Sequence, residues 1–161
     1  MKNETRKPRL YLAYGSNLNK VQMLRRCPGA RLVGKGEIPG WKLIYKGSQT
    51  GAYLTIEPED GSSVPVGVWE VTQDDERNLD HYEGYPVFYG KKDFRVEATL
   101  TDGTRKKLDS FAYVMTEGAE YALPSMGYVK VCLQGYLDFG FDFDVLSKAF
   151  RDTLEIVEKH T

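Results

Sequence analysis

The sequence is poor in the residues on which metal and thiol chemistry rest. Two cysteines and two histidines occur in 161 residues. Cys27 and Cys132 lie far apart without C-x-x-C spacing, and His81 and His160 are too few for a multi-histidine centre. This scarcity makes a small metalloenzyme improbable and fits a reducing compartment. Neither sign of charge is in excess. With 22 Lys and Arg against 23 Asp and Glu, the chain lacks the cationic surface that binds nucleic acid by displacing counterions. Its one basic cluster, Arg105-Lys106-Lys107, follows Asp102-Gly103 and reads as a solvated hairpin tip. No apolar run approaches the roughly 18–20 residues of a membrane span, and the polar start MKNETRKPR has no apolar signal core. The expectation is a cytoplasmic protein that engages neither nucleic acid nor membrane.

What is present describes one ordinary domain. At this length a single core forms without disulfides or structural metal. No repeat or linker divides the chain, so residues 10–161 read as one domain behind a frayed, charged N-terminus through about Arg9. Leu10–Tyr14 reads as a buried strand that stops at Gly15-Ser16-Asn17, and Leu18–Arg26 as a short helix with basic residues in its last turn. Strands are predicted at Ala30–Lys35, Trp41–Tyr45, Ala52–Glu57 and Val64–Val71, punctuated by Gly and Pro. Thr72 with Asp75 three residues on opens a helix through about Tyr82, which Gly84 and Pro86 end. Phe94–Thr101 and Leu108–Met115 pair as a hairpin across Asp102-Gly103. Pro124-Ser125 starts a helix with Cys132 on its apolar face, closed by Gly140. A final amphipathic helix is capped by Asp142 or Asp144. The fold expected is α+β, a small, strongly curved mixed or antiparallel β-barrel flanked by helices.

Three places can carry chemistry. In Tyr14-Gly15-Ser16-Asn17-Leu18 a glycine admits close backbone approach and unpaired amides open toward an anion, although Ser and Asn also serve simply as helix caps. Glu83 sits in the last turn of its helix, where exposed carbonyls disfavour an anion, and between Tyr82 and Tyr85, which desolvate it. Both influences raise its proton affinity toward that of a general base; the plain alternative is a solvated carboxylate. Tyr128, in the first turn after Ser125, is either a ligand contact or a half-buried phenol bonded to backbone. A Cys27–His81 nucleophile pair is a remote option, supported only by Arg25 and Arg26 beside the thiol.

Taken together, Y-G-S-N-L after the first strand, Leu79-Asp80-x-x-Glu83-Gly84-Tyr85-Pro86, and Pro124-Ser125-x-x-Tyr128 with Gly135 seven residues on resemble the γ-glutamylcyclotransferase-like family. The stretch Arg26–Gly34 also resembles the family's segment after its first helix. The resemblance covers Tyr11 to Gly140. It implies a small barrel and an enzyme that cleaves a γ-glutamyl amide: the α-amine attacks the γ-carbonyl and releases 5-oxoproline and a free amine, with no cofactor or metal. By position, Glu83 matches the catalytic acid/base. Tyr14, Gly15, Ser16, Asn17 and Leu18 match the substrate loop, Tyr11 begins the strand feeding it, and Tyr128 matches a substrate contact. Family members typically carry an arginine shortly after E-G-Y-P, where this chain has Lys91 and Lys92. The implied partner is a small γ-glutamyl substrate, and a homodimer is compatible with the aromatic content. The alternatives are action on γ-glutamylamines or a γ-glutamyl-protected intermediate, and a non-catalytic module that binds an acidic ligand.

Overall fold

Five strands wrap until the last edge meets the first. The computed structural model describes residues 6–48 and 51–160, so the frayed start expected over Met1–Thr5 lies outside the described residues. β1 (Arg9–Ala13), β2 (Arg31–Ser48), β3 (Gly51–Val71), β4 (Tyr89–Leu100) and β5 (Arg105–Met115) follow the order β3-β1-β5-β4-β2, and β2 pairs back onto β3. β1 and β5 are parallel, while the other neighbours are antiparallel. The result is a closed mixed barrel, as the sequence led one to expect. β6 (Glu120–Tyr121) extends the outer end of β2. Around the barrel lie α1 (Lys20–Arg26), α2 (Gln73–Glu83), α3 (Met126–Phe139) and α4 (Asp144–Lys159). No helix among the described residues is long and apolar enough to cross a membrane.

Several boundaries differ from expectation. The four strands predicted between Ala30 and Val71 are two long ones, because Pro39-Gly40 and Pro58–Gly61 fall opposite each other. The ladder passes from Pro39↔Ser63 to Trp41↔Pro58 and so bulges there without ending. β4 begins five residues before the predicted Phe94. Its polar start Lys91-Lys92-Asp93 pairs with Phe111–Tyr113. Within the start expected to fray through about Arg9, the described residues are held: Arg9 pairs with Val71, and both Arg6 and Arg9 bind Glu76. Neither Asp142 nor Asp144 is the N-cap of α4. Phe143 is, while Asp142 Oδ1 accepts from the Asp144 amide at 2.9 Å.

Two local devices position the site. Thr72 and Asp75 form the predicted capping box at the start of α2, each side chain accepting from the other's amide at 3.1 Å. At its end Gly84 adopts φ 65°, and the Tyr85 amide returns to the Asp80 carbonyl at 2.9 Å. Glu83 is thereby the last helical residue. At Gly135 on α3, an added Cβ would stand 2.6 Å from the Asn19 amide nitrogen and 2.7 Å from Leu18 Cβ. The missing side chain lets α3 pack directly on the turn after β1.

Candidate active site

β1 delivers the chain to the end of the barrel at Tyr14, and residues 15–19 turn there. Ser16–Leu18 forms one 3₁₀ turn, with the Leu18 amide donating to the Gly15 carbonyl at 3.1 Å. Such a turn leaves the amides of Gly15, Ser16 and Asn17 unused within it. Asn19 caps α1 through Oδ1, which accepts from the Gln22 amide at 3.0 Å. Capping therefore does not explain Ser16 and Asn17, whose side chains are buried. Arg26 donates to Asn17 Oδ1 at 2.6 Å and to Ser16 Oγ at 3.4 Å, and Asn17 Nδ2 donates to the Tyr11 hydroxyl at 3.0 Å.

A tight pocket of about 30 Å³ brings together Tyr11, Tyr14, Gly15, Ser16 and Asn17 with Glu83 and Tyr128. Leu54, Tyr89 and Tyr113 complete its wall. An adjoining cavity of about 100 Å³ shares Ser16, Glu83, Tyr89 and Tyr128 and adds Tyr53, Tyr82 and Phe88. Leu18, grouped with the loop in the sequence, lines neither cavity. It is fully buried, and its side chain faces Gly67 and Gly135. Clefts of about 530 and 610 Å³ occur elsewhere, beside Lys35 and Arg105 and beside Pro8 and Asp93. They are open surface grooves without Glu83 or the turn.

Backbone anchors fix the tyrosines. The Tyr128 hydroxyl accepts from the Leu54 amide at 3.1 Å, and the Tyr89 hydroxyl donates to the Leu54 carbonyl at 2.7 Å. Tyr14 donates to the Tyr113 carbonyl, and the Tyr113 hydroxyl donates to Asp80 Oδ1, both at 2.6 Å. A Cβ on Gly15 would lie 3.1 Å from the Tyr128 hydroxyl, so glycine leaves that phenol its room. Burial holds the Tyr11, Tyr14, Tyr89, Tyr113 and Tyr128 phenols far above their ordinary pKa. All five stay neutral donors over the working pH range.

Glu83 is different. Burial pushes its carboxyl up to about 7, with Arg26 pulling the other way, and among the described residues no hydrogen bond satisfies it. Desolvation, more than the helix end emphasised in the sequence, is the main cause. The residue nonetheless keeps partial exposure, so solvent and small molecules reach it. Cys27 offers no competing nucleophile: burial raises its thiol to about 12, it points at the Asp75 carbonyl, and His81 is exposed. The residues that spacing could not find are Leu54, Tyr89 and Tyr113. They arrive from three separate strands and carry no motif.

Lys91, near the position of the family's arginine, does not line the pocket. It pairs with Glu76 at 2.6 Å and Asp80 at 2.8 Å and lies over the Tyr85 ring. Through Asp80 it supports Tyr113 from behind.

Comparison with known proteins agrees with this architecture. The human Gamma-glutamylcyclotransferase is 29% identical over 151 residues, covering 86% of this chain and 76% of that protein. The Bos taurus Gamma-glutamylcyclotransferase is 30% identical over 146 residues, with the same coverage. A solved structure named Gamma-glutamyl cyclotransferase superposes with a TM-score of 0.75 at 28% identity, covering 89% of this chain and 86% of that one. The profile of the family described as "Gamma-glutamyl cyclotransferase, AIG2-like" matches residues 11–130. On that match, which takes in the turn after β1, the tail of α2 and Tyr128 alike, the chain belongs to the gamma-glutamyl cyclotransferase, AIG2-like family.

Proposed function

We propose that the chain is a γ-glutamylcyclotransferase-type enzyme, in which the α-amine of a γ-glutamyl amide attacks its own γ-carbonyl and releases 5-oxoproline and a free amine. One observation carries the reading: a carboxyl brought to about pKa 7 by burial shares a small pocket with a turn whose amides are unused. Intramolecular cyclisation needs no external nucleophile. It needs a neutral amine, a place for the developing oxyanion and a protonated leaving nitrogen.

Glu83 as carboxylate takes a proton from the substrate ammonium. The freed amine forms the C–N bond of the ring, and the carbonyl electrons move onto oxygen. Collapse of that intermediate breaks the original amide bond: Glu83 returns its proton to the departing nitrogen, and the second proton of the ring nitrogen is lost to solvent, leaving the lactam N–H and a free amine. A carboxyl near pKa 7 serves both directions at neutral pH. The Gly15 and Ser16 amides hold an anionic oxygen of the reacting molecule in a site that requires little reorganisation. The rigid tyrosine walls favour the folded substrate conformation, so part of the acceleration is effective molarity.

Replacing Glu83→Gln is expected to preserve the fold and to lower 5-oxoproline release by a factor on the order of 10²–10⁴. Full turnover by that variant would remove Glu83 from this role. A panel of γ-glutamyl compounds differing only in the leaving amine defines the substrate. Calorimetric binding of 5-oxoproline with no product from any member of the panel would instead mark a binding module.

A further inference from the structure

We propose that Arg26 is a positioning residue of this site, one guanidinium that ties the Gly15–Leu18 turn to the end of α2 and brings a positive charge there. The inference rests on the reading of Glu83 above. From the last turn of α1, Arg26 donates to Asn17 Oδ1 at 2.6 Å and to Ser16 Oγ at 3.4 Å. Its guanidinium carbon also lies 3.3 Å from the centroid of the Tyr82 ring, the residue before Glu83. The same side chain thus grips both walls of the pocket, although it lines neither cavity. Through Asn17 the contact continues to the Tyr11 hydroxyl.

The charge matters because the surroundings of Glu83 otherwise carry none. β1 presents Tyr11 and Tyr14, β4 Tyr89, β5 Tyr113 and α3 Tyr128, all buried phenols that stay protonated. β3 contributes Leu54 to the inner pocket and Tyr53 to the outer one, and α2 itself contributes Tyr82. Cys27, the neighbour of Arg26, is held neutral by burial. Asp80 and Lys91, paired to each other, stand behind Tyr113. Arg26 therefore opposes the desolvation of Glu83 alone and keeps the carboxylate accessible near neutrality. Its Nη1 donates to both loop oxygens while the guanidinium plane lies on the Tyr82 ring, and a lysine cannot supply that stacked plane together with the bonds.

Two variants separate the stacked plane from the charge. Arg26→Met removes both, and Arg26→Lys keeps the charge. The first readout is the titration midpoint of Glu83 by NMR of ¹³C-labelled carboxyls, assigned by the signal lost in Glu83→Gln. It is expected to rise in Arg26→Met and to stay near that of the parent in Arg26→Lys. The second is steady-state turnover of the best γ-glutamyl compound from the panel. KM is expected to rise in both variants, on the order of tenfold for the lost stacking on Tyr82 and the bonds that it orients. The acid limb of the pH profile is expected to move to higher pH in Arg26→Met only. An unmoved midpoint in Arg26→Met, or an unchanged KM in Arg26→Lys, would overturn the proposal. Because the titration needs no turnover, it reads the coupling even if Glu83→Gln proves fully active. Should Arg26→Met not fold, Arg26→Lys alone decides: parent midpoint with raised KM supports the proposal, and parent KM refutes it.

Discussion

Glu83 shows what a buried carboxyl costs the folded state near neutral pH. Its carboxyl titrates near 7 in the folded protein and near 4.3 in an unfolded chain. Between those values the folded state holds a proton that the unfolded state has lost, so stability falls as pH rises through this window. That difference corresponds to roughly 4 kcal/mol at most. Glu83→Gln should therefore be more stable than the parent at pH 8, by up to about 4 kcal/mol, and nearly equal to it at pH 4.5. Chemical denaturation of both proteins at the two pH values measures this, and a variant no more stable than the parent at pH 8 would show that the carboxyl is not desolvated. In the same way, the base role requires activity to rise through about pH 7. Tyr128 belongs to the same scale: of its two readings in the sequence, ligand contact or phenol bonded to backbone, it lines the pocket while its hydroxyl accepts from Leu54.

Among elements, the contact of α3 with the turn after β1 decides where the amides of that turn sit. Gly135 allows it, and Gly135→Ala would drive a methyl into the backbone of Leu18 and Asn19. Overpacking of this kind costs roughly 1–3 kcal/mol, and the displaced turn should raise KM more than it lowers kcat. Thermal unfolding beside steady-state kinetics tests both effects; an unchanged KM would show that the turn does not depend on α3. Most helix starts and stops were legible in the sequence because capping is local: Thr72-Asp75, Gly84, Ser125 and Gly140 all act where they were read, whereas the start of α4, read as capped by Asp142 or Asp144, has Phe143 at its N-cap. Strand limits were less so. Whether Pro39-Gly40 ends a strand or bends it depends on what lies opposite, and the opposite residues are about twenty positions away in the chain.

Across the whole molecule, an ion network centred on Glu76 ties the start of the chain to α2 and the barrel. Glu76 is buried and binds Arg6, Arg9 and Lys91, and Lys91 also holds Asp80. Burial would raise the Glu76 carboxyl, but hydrogen bonds from Lys91 and Arg6 outweigh it and hold the group below its ordinary range. Its contribution is present above the unfolded carboxylate pKa and is lost as pH falls through the lower folded value. Lys91 is raised, burial being outweighed by Asp80 and Glu76, so its share is lost only as pH climbs past the raised value. Neither titrates near neutrality, which leaves Glu83 to set the slope between about pH 5 and 7. Lys91→Met strands two carboxylates, one of them still paired to arginine. A loss of roughly 2–3 kcal/mol is expected, below the usual cost of breaking a fully buried pair. Denaturant unfolding at pH 7 checks it, and a neutral result would reduce the network to surface pairing.

From the sequence alone came the local and additive properties: balanced charge, scarce metal ligands, helix caps, a barrel-forming alternation and three short motifs in order. Each depends on residues within a few positions of one another. The tertiary structure decided what depends on distant partners. It closed β2 onto β3, drew Leu54, Tyr89 and Tyr113 into the pocket, turned Leu18 into the core and placed Arg26 against both Asn17 and Tyr82. The acidity of Glu83 divides between the two: its upward direction was read from the helix end and the flanking tyrosines, whereas the burial that dominates it is a property of everything around the group and needs the folded chain.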